Sequence, residues 1–301
     1  MTGAERGWLL LCADLADGVK PLSPAQVRSL RRLVNQADKA LDDPEASLTV
    51  TDLIDLGCEK NSAERILRLL DREEALDVYL RAAEDRGIRP LTRSSPDYPA
   101  RLLRLGDSAP GVLFYRGELS VLKERAISLT GSRDLSPEGA AFCRRVGKLA
   151  AMEGLVLVSG NARGADRAAQ SACLEAGGSV ISVIPGPLFE TEPESERQLM
   201  LCENGWQLPF SEFRALSRNR LIYALSDLAL VAEVGLRGGT MRGASEAIRN
   251  GILPVFVREN AGPGSRELIQ LGADPVSEDL TSLRDLRPSR LTLWDFEQEH
   301  G

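Results

Sequence analysis

A chain of 301 residues, 43% of them apolar, can hold one full α/β domain and a smaller one. A net charge of −7 runs against a uniformly basic nucleic-acid binder, a single histidine against histidine chemistry, and five scattered cysteines against a disulfide framework. No apolar run approaches the ~18 residues of a membrane span, and reduced thiols suit a cytoplasmic protein.

In chain order, Trp8-Leu9-Leu10-Leu11 is too short, and too soon followed by Asp14, to be a signal peptide. Residues 5–87 carry helical periodicity: Val27, Leu30, Leu33 and Val34 share one face, and Ile66, Leu69, Leu70 and Leu76 another. Ser23-Pro24 and Thr51-Asp52 supply helix starts. A domain boundary is expected within Gly87–Pro96, giving a helical N-terminal domain over 1–90 and a second domain over 91–280. The residues 281–301 read as a tail docked by Trp294 and Phe296.

The second domain repeats one pattern. Ala126–Thr130 is an apolar strand ending in Gly131-Ser132-Arg133, and Leu155–Val158 one ending in Ser159-Gly160-Asn161. Ser179–Ile184 runs into Pro185-Gly186-Pro187, and Asp227–Val234 into Gly235-Leu236-Arg237-Gly238-Gly239-Thr240. All but the third are followed promptly by a helical pattern. Repeated strand, turn and helix predict a Rossmann-like α/β fold, a parallel sheet with helices on both faces. Ligands of such sheets sit beyond the carboxyl ends of the strands, where the strand order reverses. Backbone N–H groups of these loops converge on an anion. The same edge carries Arg133, Arg163, Arg167, Arg218, Arg220, Arg237 and Arg242, and guanidinium forks suit phosphate oxygens and stacked bases. Acidic residues concentrate elsewhere, at Asp42, Asp43 and Glu45 and over Glu190–Glu196. Of the 37 basic residues 5 are lysine, none after Lys148, so phosphate contacts in the later loops fall to arginine.

Gly131-Ser132-Arg133, Ser159-Gly160-Asn161-Ala162-Arg163-Gly164-Ala165-Asp166 and Arg218-Asn219-Arg220-Leu221-Ile222 resemble the motifs of the DNA-processing protein A (DprA, or Smf) family. Pro96–Leu102 and Pro110–Gly117 upstream, and Gly251–Val257 and Leu268–Ala273 downstream, extend the resemblance over about residues 90–276. It implies a protein that binds single-stranded DNA in recombination or DNA uptake, loads a recombinase, and forms a homodimer through its Rossmann-like domain; the apolar stretch Leu221–Val234 is the expected neighbourhood of that pairing. The binding residues it implies are Gly131, Ser132, Arg133, Ser159, Gly160, Asn161, Arg163, Gly164, Asp166, Arg218, Asn219, Arg220, Gly239 and Thr240. Leu56-Gly57-Cys58 followed by a helix is similar to the small SAM or helix-hairpin-helix-like domain that precedes the Rossmann part.

The chain departs from the family pattern. Gln170 stands where the family usually has His, Gly238–Gly243 replaces the usual Ser-Gly-Ser/Thr loop, the Tyr-Pro pair before Arg218 is missing, and no winged-helix domain is expected at the C-terminus. A second class therefore stays open: a nucleotide-binding sensor or regulator of the same fold, such as a partner of a toxin encoded nearby or a phage-defence component. Gly238-Gly239-Thr240 with Glu246 partly resembles the signature of the LOG-type phosphoribohydrolases but lacks its leading Pro and middle Gly. Asp166, Glu212, Glu233 and Glu246 fall near the expected edge as carboxylates for such N-glycosidase chemistry, Glu233 and Glu246 as the candidate pair, and the sole histidine is the penultimate His300. Neither catalysis nor a cofactor or metal is expected. Asp166 has its own bland reading, as an orienting cap for the Ser159 loop.

Overall fold

The structure is a computed structural model and describes residues 1–36 and 48–289. Asp42, Asp43, Glu45, Trp294, Phe296 and His300 lie outside the described residues. Two compact units make up the chain: Met1–Tyr98 with Gly106–Phe114 and Glu203–Leu208, and the remainder.

The first unit contains α1 (Gly3–Cys12), α2 (Pro24–Gln36), α3 (Val50–Asp55), α4 (Lys60–Leu70) and α5 (Glu73–Glu84), followed by β1 (Arg89–Thr92) beside the start of β2 (Val112–Arg116). Its helix starts follow from local chemistry. The Ser23 hydroxyl accepts from the Gln26 N–H while the Gln26 side chain accepts from the Ser23 N–H, a reciprocal cap. Thr49 and Asp52 do the same for α3, so that helix begins ahead of the expected Thr51-Asp52. The predicted apolar faces turn inward: Val27, Ile66, Leu69 and Leu76 are buried with Leu9 and Leu53. Tyr79 stacks edge-on to Phe114 at 5.7 Å and accepts the Trp206 backbone N–H at 3.0 Å, which ties the distant 203–208 segment to α5.

The second unit is built on seven parallel strands in the order β6 (Gln198–Glu203), β5 (Val180–Val183), β4 (Val156–Ser159), β3 (Ala126–Thr130), β7 (Leu228–Val231), β8 (Val255–Arg258) and β9 (Asp274–Val276). Chain order runs outward from β3 through β4, β5 and β6, then jumps to the other side of β3 and continues through β7, β8 and β9. Right-handed crossovers therefore place α6 (Pro137–Met152) and α7 (Ala165–Glu175) on one face, and α9 (Gly239–Arg249) and α10 (Pro263–Leu271) on the other. α8 (Glu212–Ala224) carries the chain from β6 back to β7. This is the Rossmann-like sheet that the repeating pattern predicts, with its reversal of order between β3 and β7.

The β6 strand was not expected from the pattern, because its apolar run Leu199–Cys202 has no β-branched residue. Within the Leu221–Val234 stretch, Leu221, Ile222, Tyr223, Ala229, Leu230 and Val231 are buried inside the chain itself. The strands β3, β4, β5 and β8 are buried along their whole length, and Ile127, Leu129, Phe142, Val146, Leu157, Ala169, Leu230 and Phe256 form one continuous core.

At Gly147, α6 meets the backbone of α7 directly. A Cβ on Gly147 would collide with the Ala169 carbonyl oxygen and come within 3.0 Å of the Cys173 nitrogen. Backbone cannot step aside as a side chain can, so Gly147→Ala is expected to lower the unfolding free energy by about 1–3 kcal/mol. Urea denaturation would measure it. An unchanged midpoint would mean that the helices can separate freely.

Candidate nucleic-acid interface

Every residue implied as binding lies in the second unit, at the carboxyl ends of β3 and β4 or on α7, α8 and α9. Two depressions open there. A cleft of about 850 Å³ lies at the reversal between β3 and β7, lined by Gly131, Ser132, Asn219, Gly239, Thr240 and neighbours. A groove of about 410 Å³ runs beside it, lined by Gly160, Asn161, Arg163, Pro185 to Pro187 and Phe210. Arg133 and Arg218 line both.

The β4 loop is organised from within. Asp166, 7% exposed, accepts the N–H groups of Gly160 at 3.0 Å and Ala162 at 3.2 Å through one carboxylate oxygen. These are the N–H groups that a phosphate was expected to use, and the chain's own carboxylate already holds them. Asp166 thus caps the Ser159 loop, and it also lines the cleft between β3 and β7. Burial is the largest influence on its carboxyl and pushes it above the ordinary range, opposed by Arg218 and by the two N–H donors.

Arg218 is equally buried and lies flat on Gly160: a Cβ at 160 would overlap its guanidinium. That contact is why glycine stands there. The guanidinium donates to the Val183 carbonyl at 2.5 Å and to Ala215 at 3.3 Å, and burial pulls its pKa down. It forms a fixed cationic wall between the two depressions.

Other expected residues fall into distinct roles. Ser159 points inward, its hydroxyl accepting from Gln170 at 2.7 Å. Gln170 also donates to Ser182 at 2.9 Å, so the amide in place of the family's histidine joins the ends of β4 and β5. Gly164 begins α7 against the carbonyls of Ser132 and Arg133. Ser132 closes its own turn with Asp134, Thr240 donates to the Gly131 carbonyl at 3.0 Å, and Asn219 to that of Gly239 at 3.4 Å. Arg220 turns back onto Ser217 of its own helix and lines neither depression. Arg167 pairs with Glu194 and is likewise outside both.

Accessible cations remain. Arg133 is exposed and makes no ion pair among the described residues. Arg163, its side chain 75% exposed, pairs with the equally open Asp134 at 2.8 Å, a surface contact that contributes about 0–1 kcal/mol and exchanges readily. Arg237 and Arg242, expected at this edge, line the cleft, whereas Arg249 on the cleft and Phe210 on the groove, 56% exposed, were not among the expected residues. For Phe210 the signal was an aromatic next to a helix cap, Ser211, which propensity alone does not mark as surface.

The carboxylates considered for catalysis have structural work. Glu233 accepts from the N–H and hydroxyl of Ser136, holding the start of α6, and faces buried Arg258 at 3.7 Å. Glu246 pairs with Arg242 at 2.9 Å one turn away. Among the described residues no group of three or more His, Cys, Asp and Glu is placed to hold a metal ion. Burial pushes the thiols of Cys12, Cys143 and Cys173 up to about 12, which removes them as nucleophiles at neutral pH.

A profile of the family described as DNA recombination-mediator protein A matches residues 89–286. DNA processing protein DprA of Streptococcus pneumoniae is 34% identical over 194 residues, spanning 60% of this chain and 68% of that protein. DNA processing protein DprA of Bacillus subtilis is 29% identical over 261 residues, spanning 79% and 86%. The X-ray structure of DNA processing protein A from Streptococcus pneumoniae superposes with a TM-score of 0.70 at 27% identity, over 95% of this chain and 96% of that one. A structure concerned with the single-stranded DNA binding mode of DNA processing protein A from Helicobacter pylori aligns with a TM-score of 0.55 at 26% identity, over 62% and 90%.

Proposed function

This chain belongs to the DNA recombination-mediator protein A family, the DprA-like DNA-processing proteins, and on that premise we propose that it binds single-stranded DNA along the groove between Arg133 and Arg163. The observation that carries the reading is the pair of accessible guanidiniums at one groove, one unpaired and one held only by an exposed carboxylate. Arg218 backs them as a buried cation, and Phe210 offers an exposed ring for a base. Phosphate-tracking cations beside an aromatic are the usual parts of a strand-binding surface. The Helicobacter pylori relative is described as binding single-stranded DNA, and the same ligand is proposed here.

The protein acts as a binder rather than an enzyme, in the cytoplasm, in DNA processing and recombination. Glu233 and Glu246 support this, since each is already engaged with a neighbour. Pairing of two copies and hand-over of the strand to a recombinase belong to the same proposal.

Titration with labelled oligo-dT and with a duplex of equal length tests it. Oligo-dT should bind more tightly, with log affinity falling against log salt by about 0.7 for each phosphate engaged. Equal affinity for duplex, or no binding at low salt, would overturn the reading. Free base released from nucleoside monophosphates would overturn the non-catalytic part alone.

A further inference from the structure

We infer that Glu190 and Thr191 give the groove a base preference: they take the Watson–Crick edge of an unpaired guanine while Phe210 stacks on its face. This role rests on the strand-binding reading and names the preferred strand, single-stranded DNA that carries guanine.

The residues of the groove come in two sets. Arg133, Arg163 and Arg218 supply cations for a phosphate backbone. Pro185, Pro187, Glu190, Thr191 and Phe210 come from the turn after β5 and from the approach to α8. A Cβ on Gly186 would lie 3.3 Å from the Phe210 Cβ, so this turn packs directly beside the aromatic residue. The Arg214 guanidinium donates to the Pro185 carbonyl at 3.2 Å and ties the two segments together. Leu188, wholly buried, anchors the turn that carries Glu190.

A free carboxylate is out of place in a groove built for phosphate. Its neighbours are engaged: Glu192 pairs with Arg116 at 2.7 Å, and Glu194 pairs with Arg167. Glu190 is exposed and makes no hydrogen bond or ion pair among the described residues. The Thr191 hydroxyl has no partner among them either. Toward a phosphate backbone Glu190 only repels, so a strand gains from it only through donors on a base. A carboxylate accepts through two oxygens and a hydroxyl can donate. Guanine alone among the four DNA bases sets two adjacent N–H donors, on N1 and N2, beside an acceptor, O6. Adenine and cytosine turn one amine and a ring-nitrogen lone pair to the carboxylate, and thymine one N–H between two carbonyls. Glu190 followed by Thr191 therefore complements guanine and opposes the others, a preference built partly on repulsion. Unpaired bases are read in this way, on the Watson–Crick edge while stacked on an aromatic ring.

Competition against labelled oligo-dT, read by fluorescence anisotropy on the full chain, tests the assignment. The competitors are oligo-dT and strands with isolated guanines, adenines, cytosines or hypoxanthines at the same positions, spaced to prevent four-stranded structures. Guanine should strengthen binding about tenfold over oligo-dT, the worth of one good two-bond base contact. Hypoxanthine, which lacks the N2 amine, should lose most of that gain. Glu190→Gln should erase the guanine preference and make oligo-dT bind more tightly, because a negative charge leaves the groove. Thr191→Val should reduce the preference only in part. Guanine strands that bind no better than adenine strands, or a preference that survives Glu190→Gln, overturn the inference. Either result leaves the groove standing as long as oligo-dT binds. Failure of every strand to bind at low salt would sink the strand-binding reading and this preference with it.

Discussion

Asp166→Ala is expected to cost about 3–5 kcal/mol of folding free energy, more than the loss of an ordinary buried contact. One carboxylate oxygen satisfies two backbone donors, the N–H groups of Gly160 and Ala162, in a place almost closed to water. Its charge also opposes the burial of Arg218, whose guanidinium lies on Gly160 in the same layer. Alanine would leave two unpaired donors and an uncompensated buried cation together. Such losses share one site and do not simply add. Asp166→Asn keeps an acceptor oxygen and should be milder, by at least half. Urea unfolding of both variants measures the difference. A shift under 1 kcal/mol for the alanine variant would mean that the β4 loop is organised by something else, and Arg218 would lose its place as a fixed wall.

The same residue shows what the sequence tells and what it withholds. The strand, small-residue loop and helix at 155–169 are legible because apolar runs and glycine punctuation are local properties. So is the presence of an acid in the first turn of α7, together with its reading as a cap. What cannot be read is that this cap uses up the very N–H groups that such a loop offers to an anion, because that depends on rotamer and burial. Arginines divide in the same way. Arg133 and Arg163 face the groove, whereas Arg220 folds back onto Ser217 and Arg167 meets Glu194 from a loop 27 residues away. A long flexible side chain carries little record of its direction in the residues beside it. The β6 strand and the joining of Gly106–Phe114 and Glu203–Leu208 to the N-terminal helices are non-local too, and periodicity is blind to them. Gln170 reads in sequence as a departure from the family, yet in the fold it is a buried amide that bridges Ser159 and Ser182.

For binding, the largest effect is expected from removing both accessible guanidiniums, Arg133 and Arg163. Each hydrogen bond to a charged group contributes about 1.5–3 kcal/mol, and the two are separate enough in sequence, on the β3 and β4 loops, to act on different phosphates. The double alanine variant should therefore bind oligo-dT at least a hundredfold more weakly at low salt, and its salt slope should fall by about 1.4, two phosphates at 0.7 each. Because both side chains are exposed, the fold should be untouched, and unfolding in urea should match the unmodified protein. Arg163→Ala alone also releases Asp134, which then repels the strand, so the single variant should lose more affinity than an arginine without a carboxylate partner would. Asp134→Ala, conversely, should bind somewhat more tightly, since the phosphate no longer competes with a carboxylate for Arg163. Fluorescence anisotropy across a salt series reads all four proteins. A slope that stays constant from the unmodified protein to the double variant would place the strand elsewhere on the molecule, whatever the change in affinity.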